Sequence, residues 1–428
     1  MANILLRNGE VVRPDGKVEK TDIAVSGTTI SQVGAVPPEW PADRIIDCTN
    51  KLILPGLVNT HTHAAMTLFR SYADDMALMD WLQTKIWPAE ANLTGDDVHW
   101  GTMLAIAEMI KTGTTTFADM YFFMDDVARA VDASGIRAVL ARGMAGVTPT
   151  AEQALVESED FYRQWHGGAE GRITVMMGPH APYTCPPAYL KKVIALAQRL
   201  GAEIHIHLAE TVGEVETCVK EHGKSPIALM NELGLFESGV LAAHCVHVSA
   251  ADIAIMQEKR VRVAHNPGSN MKLASGIAPV PAMLAAGITV GLGTDGTASN
   301  NNLDMVEELR LAALLHKVST LDPVVIPAAQ AVQLATSAGA EVVGLGRLTG
   351  RLEPGYKADI SIFAMDATHW YPRHDRLSLL TYAANAADVH TVLVDGKILL
   401  DNRKLTTIDE EQLKYEVDKR GMRLVAKK

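Results

Sequence analysis

The sequence predicts an α/β protein: a (β/α)8 TIM-like barrel with a small β-sandwich domain formed by the N- and C-terminal segments. Three observations predict it. Eight short apolar runs alternate with helical patterns through the middle of the chain, both ends are rich in strand and turn signals, and histidines and acids gather where the apolar runs stop.

The first fifty residues read as β structure. ILLRNGEVVRPDGKVEKTDIAVSGTTISQVG consists of short alternating runs separated by NG, DG and SG turn signals. The far end repeats the pattern in ADISIF (358–363) and HTVLVDGKILLDN (390–402). Residues 1–55 and 351–428 are therefore expected to make one small β domain, with residues 56–350 forming the barrel. The barrel strands are expected within LPGLVNTHTH (54–63), TTTFADM (114–120), RAVLARGM (137–144), ITVMMGPHA (173–181), AEIHIHLAE (202–210), VLAAHCVHV (240–248), VRVAHNPGSN (261–270) and ITVGLGTDG (288–296). Helical spacing lies between most of them, as in PAYLKKVIALAQRLG (187–201), whose apolar residues recur at i, i+3 and i+4.

Composition narrows the partners. The 428 residues carry 50 acidic and 39 basic side chains, a net charge of −11, which disfavours nucleic acid or an anionic membrane as a partner. A small-molecule substrate fits better, and a homo-oligomer is compatible with the sequence without being legible in it. The opening MANILLRNGEVV alternates like a strand and lacks a signal peptide's apolar core, and no run approaches a membrane span. Cys48, Cys185, Cys218 and Cys245 are scattered with no CxxC pair, a pattern expected of reduced thiols in a cytoplasmic protein.

The rim of the expected barrel carries the chemistry. His61 and His63 stand two apart at the end of the first run, so both imidazoles face the same way. His207 closes AEIHIH with Glu210 three residues on, His244 ends VLAAH, and Asp295 ends VGLGTD. Three imidazoles and a carboxylate suit zinc or another first-row divalent metal with a position left open for water. His205 shares a face with His207 but lies two residues deeper, as a barrel-interior residue. Ser269 and Asn270 in NPGSN either line the pocket or brace the loop.

NTHTHAAMTLFR, HLAET, AAHCVH, NPGSNMKLASG and GLGTDG resemble, in order and spacing, the amidohydrolase superfamily, and LEPGYKADISIF is similar to its return into the small β domain. DDMALMDWLQTKIWPAE (74–90) resembles the nucleoside-deaminating members in particular. The resemblance implies His61, His63, His207 and Asp295 as ligands of one divalent metal, most often Zn2+, with Fe2+ or Mn2+ as alternatives. It implies Glu210 as a proton shuttle, and His244 and Asp295 as partners of the attacking water. Glu90, Arg142 and His180 match substrate-binding positions, joined there by Glu210 and Asp295. A further arginine expected soon after Arg142 is missing, since none occurs before Arg163. GPHAP carries His180 where two-metal relatives carry a bridging lysine, which implies one metal. No PCxxC accompanies an HxE, so the cytidine-deaminase type of zinc site does not apply.

The implied reaction is hydrolytic deamination of an adenine nucleoside (5′-methylthioadenosine, S-adenosylhomocysteine or adenosine) to the hypoxanthine nucleoside and ammonia. A guanine-type deaminase or a triazine chloro- or aminohydrolase would use the same ligands, and a non-catalytic metal-bound binding protein would share the fold. Met76, Met79, Trp81 and Trp87 are either an apolar wall for a base or thioether or ordinary core.

Overall fold

The computed structural model describes residues 2–426 and contains two sheets. Eight parallel strands run in chain order around a ring: β1 (Leu57–Thr62), β2 (Thr114–Tyr121), β3 (Arg137–Met144), β4 (Ile173–Pro179), β5 (Ile204–Leu208), β6 (Val240–His244), β7 (Arg262–His265) and β8 (Val290–Leu292). Apolar residues on alternate sides of each strand give the ring two cores. Ala138 and Leu140 of β3 join the large cluster beneath the outer helices. Val139 and Ala141 join a second cluster with Val58, Met120, Met176 and Leu241, to which the helix Ser337–Val342 adds Ala340 and Val342. Each valine, leucine or methionine among them contributes roughly 1.5–3 kcal/mol by leaving water, and each alanine less.

β1 and β8 close the ring. Asp295 N donates to His61 O at 3.0 Å, Thr294 N donates to Asn59 Oδ1 at 3.0 Å, and Asn59 Nδ2 donates to Thr294 Oγ1 at 2.7 Å. The seam is tight because Gly293 has no side chain: a Cβ there would lie 2.8 Å from His61 N and 2.4 Å from Asn266 Oδ1.

The two chain ends share the other sheet, of nine strands. They meet where Ile360–Ala364 pairs antiparallel with Lys51–Pro55, Ile362 opposite Ile53. Its hydrogen-bonded path is continuous, yet it encloses a core of its own that includes Ile4, Ile23, Ile30, Ile53, Ile360 and Leu393. The expected sandwich is thus one sheet curled on itself: the Gly27 carbonyl at one hairpin abuts Gly396 at another. Gly56 makes the step into the barrel, where a Cβ would sit 2.0 Å from Thr115 Oγ1. The helix Glu410–Val425 leaves the sheet and packs on the barrel helix Gly95–Lys111, with Lys111 Nζ 2.7 Å from Glu410. Among the described residues no helix is long and apolar enough to cross a membrane.

Candidate metal and catalytic centre

Strand ends β1, β5, β6 and the turn after β8 bring His61, His63, His207, His244 and Asp295 together, all buried or nearly so. Asp295 Oδ1 lies 3.4 Å from His61 Nε2 and 3.3 Å from His63 Nε2, and His207 Nε2 lies 3.3 Å from His63 Nε2. The donor atoms of His61, His63 and Asp295 fall within 4.8 Å of one another, as do those of His61, His207 and His244. Ala209, His244 and Asp295 adopt left-handed backbone (φ 52°, 72° and 62°), a strain found where side chains are re-aimed at functional sites.

Hydrogen bonds on the far side of each ring decide what it offers the centre. His63 Nδ1 donates to the Met120 carbonyl at 2.7 Å, and His207 Nδ1 donates to the His180 carbonyl at 2.7 Å. A carbonyl only accepts, so in both rings Nδ1 carries a proton, and a neutral ring then presents a lone pair at Nε2. His61 Nδ1 lies 2.8 Å from His205 Nε2, and His61 Nε2 has no hydrogen-bond partner although the residue is wholly buried. Bare nitrogens and a carboxylate oxygen crowded into one dry spot repel one another unless a cation sits among them. This donor set fits a divalent metal. Burial holds the His61 imidazolium down to a pKa of about 4 and His207 well below its ordinary value, so both are neutral imidazoles at pH 7, the form a metal requires. Burial pushes the Asp295 carboxyl up, but His61 and His63 more than offset it, leaving it well below the usual carboxylate range. Ser269 and Ser299 donate to its Oδ2 at 2.6 and 2.9 Å, and Gly296 N donates to Oδ1 at 2.8 Å, which leaves Oδ1 one lone pair on the side of the histidines.

Glu210 and His244 face each other beside this cluster, Oε2 3.8 Å from Nε2. Burial raises the Glu210 carboxyl, while His244, which burial would lower, is raised by the Glu210 and Asp295 carboxylates. His244 Nδ1 donates to Asn270 Oδ1 at 2.9 Å. Of the two roles left open for Ser269 and Asn270, both brace: one steadies Asp295, the other His244. Glu214 clamps the Glu210 backbone, accepting from Ala209 N at 2.8 Å and Glu210 N at 2.9 Å. Thr211 caps the helix Val212–His222, which carries Glu214, by accepting from Glu214 N at 3.2 Å, so the T-x-x-E spacing was a readable signal for Glu214.

These groups open into a cavity of about 540 Å³, a size suited to a small ligand. Glu90, Arg142, His180, Glu210 and Asp295 all line it. A π-helical turn, Leu82–Ile86, precedes Pro88 and delivers Glu90 to the wall. Burial pushes the Glu90 carboxyl up to about 7, opposed by the Tyr121 hydroxyl, which donates to Oε1 at 2.6 Å. Burial also holds the His180 imidazolium down to about 4, and its Nδ1 lies 2.8 Å from Thr184 Oγ1. Arg142 faces Glu157, with Nη2 and Nε donating to Oε2 at 2.6 and 3.1 Å. Of the four apolar residues with an open role, Trp81 and Trp87 line the cavity, and Met76 and Met79 do not.

The sequence profile of the amidohydrolase family matches residues 52–399. A 5-methylthioadenosine/S-adenosylhomocysteine deaminase of Syntrophomonas wolfei is 53% identical over 99% of this chain and 100% of its own. Its namesake in Pelotomaculum thermopropionicum is 54% identical over 99% of each chain. Among solved structures, an adenosine deaminase of Xanthomonas campestris with bound zinc superposes at a TM-score of 0.95 and 35% identity, over 99% of this chain and 98% of that one.

Proposed function

The chain belongs to the amidohydrolase family, and on that premise we propose that it is a deaminase of adenine nucleosides of the 5′-methylthioadenosine and S-adenosylhomocysteine class. Water replaces the 6-amino group, giving the hypoxanthine nucleoside and ammonia. One observation carries the reading: Glu210 and His244, 3.8 Å apart, flank the histidine–aspartate cluster in the same cavity as Glu90.

His61, His63, His207 and Asp295 would hold one divalent cation, zinc first and iron or manganese as alternatives. Such a cation supplies the Lewis acidity that makes water nucleophilic at neutral pH, its pKa falling towards ~7. The chain's own groups do the rest. Asp295, its second oxygen tied to two serines, takes a proton from the attacking water with Oδ1. His244, steadied by Asn270, hydrogen-bonds the water oxygen and aims it at C6. Glu210, whose raised carboxyl retains a proton more readily than a surface glutamate, protonates N1 as C6 is attacked. The C6–N6 bond then breaks, the proton taken from water leaves with ammonia, and the proton left on the new C6 hydroxyl returns to Glu210 as the carbonyl forms. Acid–base help of this kind contributes ~10²–10⁴-fold. Glu90, oriented by Tyr121, accepts from the ribose hydroxyls, and His180 bonds the base.

We also assign residues 56–350 to the catalytic barrel and the flanking segments to the small domain, supported by the change of sheet at Gly56. Four buried cysteines without disulfides support a cytoplasmic setting.

The test is ammonia release by metal-reconstituted protein from adenosine, 5′-methylthioadenosine, S-adenosylhomocysteine, guanine and a chlorotriazine. The nucleosides are expected to turn over fastest. Faster turnover of guanine or the triazine overturns the substrate assignment, and no release from any of them overturns the enzyme.

A further inference from the structure

Arg142 is the one arginine or lysine among the described residues lining the cavity, whose wall also holds three carboxylates, Glu90, Glu210 and Asp295. It stands on β3 directly beside Tyr121 of β2, whose hydroxyl holds Glu90. The arginine therefore borders the sugar end of the cavity. Its neighbours in the wall, Met144 and Val147, are apolar, and Thr148 and Thr150 add only hydroxyls.

That guanidinium is already matched. Nη2 and Nε both donate to Glu157 Oε2, and Nη1 donates to the Gly143 carbonyl. Glu157 reaches in from the helix Ala151–Trp165 and does not itself line the cavity. The only positive charge at this end of the wall is thus neutralised from behind, with the cavity's net balance left acidic.

We infer that Glu157 is a specificity-determining residue that makes the cavity prefer adenine nucleosides with an uncharged 5′ substituent over those whose substituent ends in a carboxylate. The inference rests on the nucleoside reading above. A carboxylate arriving at Arg142 competes with Glu157 for the same N–H groups and brings a second negative charge close to it. A methylthio or hydroxyl group meets apolar wall and hydroxyls without that conflict. Solvent moderates the effect, because the Arg142 and Glu157 side chains are 18% and 45% exposed.

The test compares kcat/KM for 5′-methylthioadenosine and for 5′-(carboxymethylthio)adenosine, which carries a carboxylate and no ammonium. Glu157→Gln is expected to raise the carboxylate-to-methylthio ratio by roughly 3–10-fold, less at 1 M salt than at 0.05 M, with methylthio turnover within about twofold of wild type. An unchanged or lowered ratio overturns the proposal. So does a fall confined to S-adenosylhomocysteine, which would mean that Glu157 grips that substrate's ammonium. If the wild type turned over neither nucleoside, the deaminase reading would fail. The ratio of their dissociation constants by calorimetry would then decide the preference by itself.

Discussion

Both ends of the barrel bury charge, and they treat it in opposite ways. At the N-terminal end, Arg137 opens β3 with 1% of its side chain exposed. Its Nε and Nη2 donate to Asp359 at 2.7 and 3.1 Å, and Nη2 donates also to Asp395 at 2.8 Å. Asp395 N donates to Asp359 in turn, at 2.8 Å. Both aspartates belong to the terminal sheet's segments, so the cluster is a fully paired joint between sheet and barrel. At the C-terminal end, the histidines and Asp295 are nearly as dry but turn ring nitrogens and a carboxylate oxygen toward one another, and His61 Nε2 has no hydrogen-bond partner. Buried polar groups that satisfy themselves hold a fold together. A set that can be satisfied only by something added is a site, and the active face of a barrel is where such a set belongs.

Substitutions sort along this divide. Glu210→Gln should lower kcat by ~10²–10⁴ while leaving metal content and thermal unfolding as in the wild type. A parallel loss of stability would mean that Glu210 belongs to the joint-like class. Arg137→Leu should do the reverse: breaking a buried pair on one side costs about 3–5 kcal/mol in denaturant unfolding, with kcat of the surviving folded protein little changed. His205→Leu should weaken metal retention about 10–100-fold in a chelator competition, because His61 loses the partner that orients it. His205→Gln, which still offers an acceptor, should recover much of it, and equal losses in both variants would count against orientation.

The smallest effect concerns Glu308, which sits on the helix Met305–Thr320 and accepts from Gly268 N at 2.9 Å and Asn300 Nδ2 at 2.7 Å. It thereby ties together the loops that carry Ser269 and Asp295. Burial pushes its carboxyl up to about 8. With the folded pKa above the unfolded one, its contribution is complete below about pH 4.5 and is lost as pH rises through about 8. Tm should fall across that window by a few degrees more in the wild type than in Glu308→Gln. Identical pH slopes would show that Glu308 does not titrate there.

The ring, the terminal sheet and the clustering of the candidate ligands were legible because each rests on local pattern: period-two runs, turn dipeptides, and HxH at strand spacing. What escaped depends on residues far apart in sequence. His205 shares a strand face with His207, yet its contact is His61, 144 positions away. Tyr121 carries no motif, and its role follows only from the 2.6 Å bond to Glu90. His316 also carries no motif, and only the fold shows it wholly buried with its Nε2 3.1 Å from that of His265. Arg142 was recognisable as a cavity residue, but nothing in LARGM announces that Glu157 occupies its guanidinium.

The seam between β1 and β8 has a consequence for how the protein matures. His61 and His63 come from the first strand of the ring and Asp295 from the turn after the last, separated by most of the barrel's length. A nascent or truncated chain that has not laid its eighth strand beside its first owns the two histidines but not the carboxylate. If these residues hold the ion, its uptake would be coupled to ring closure, and a bound ion would stabilise the closed ring over any opened form in proportion to the logarithm of its concentration. Starved of metal, the molecule should fray first along this seam, and hydrogen exchange would single out the backbone amides of Thr294 and Asp295, which donate to Asn59 Oδ1 and to the His61 carbonyl.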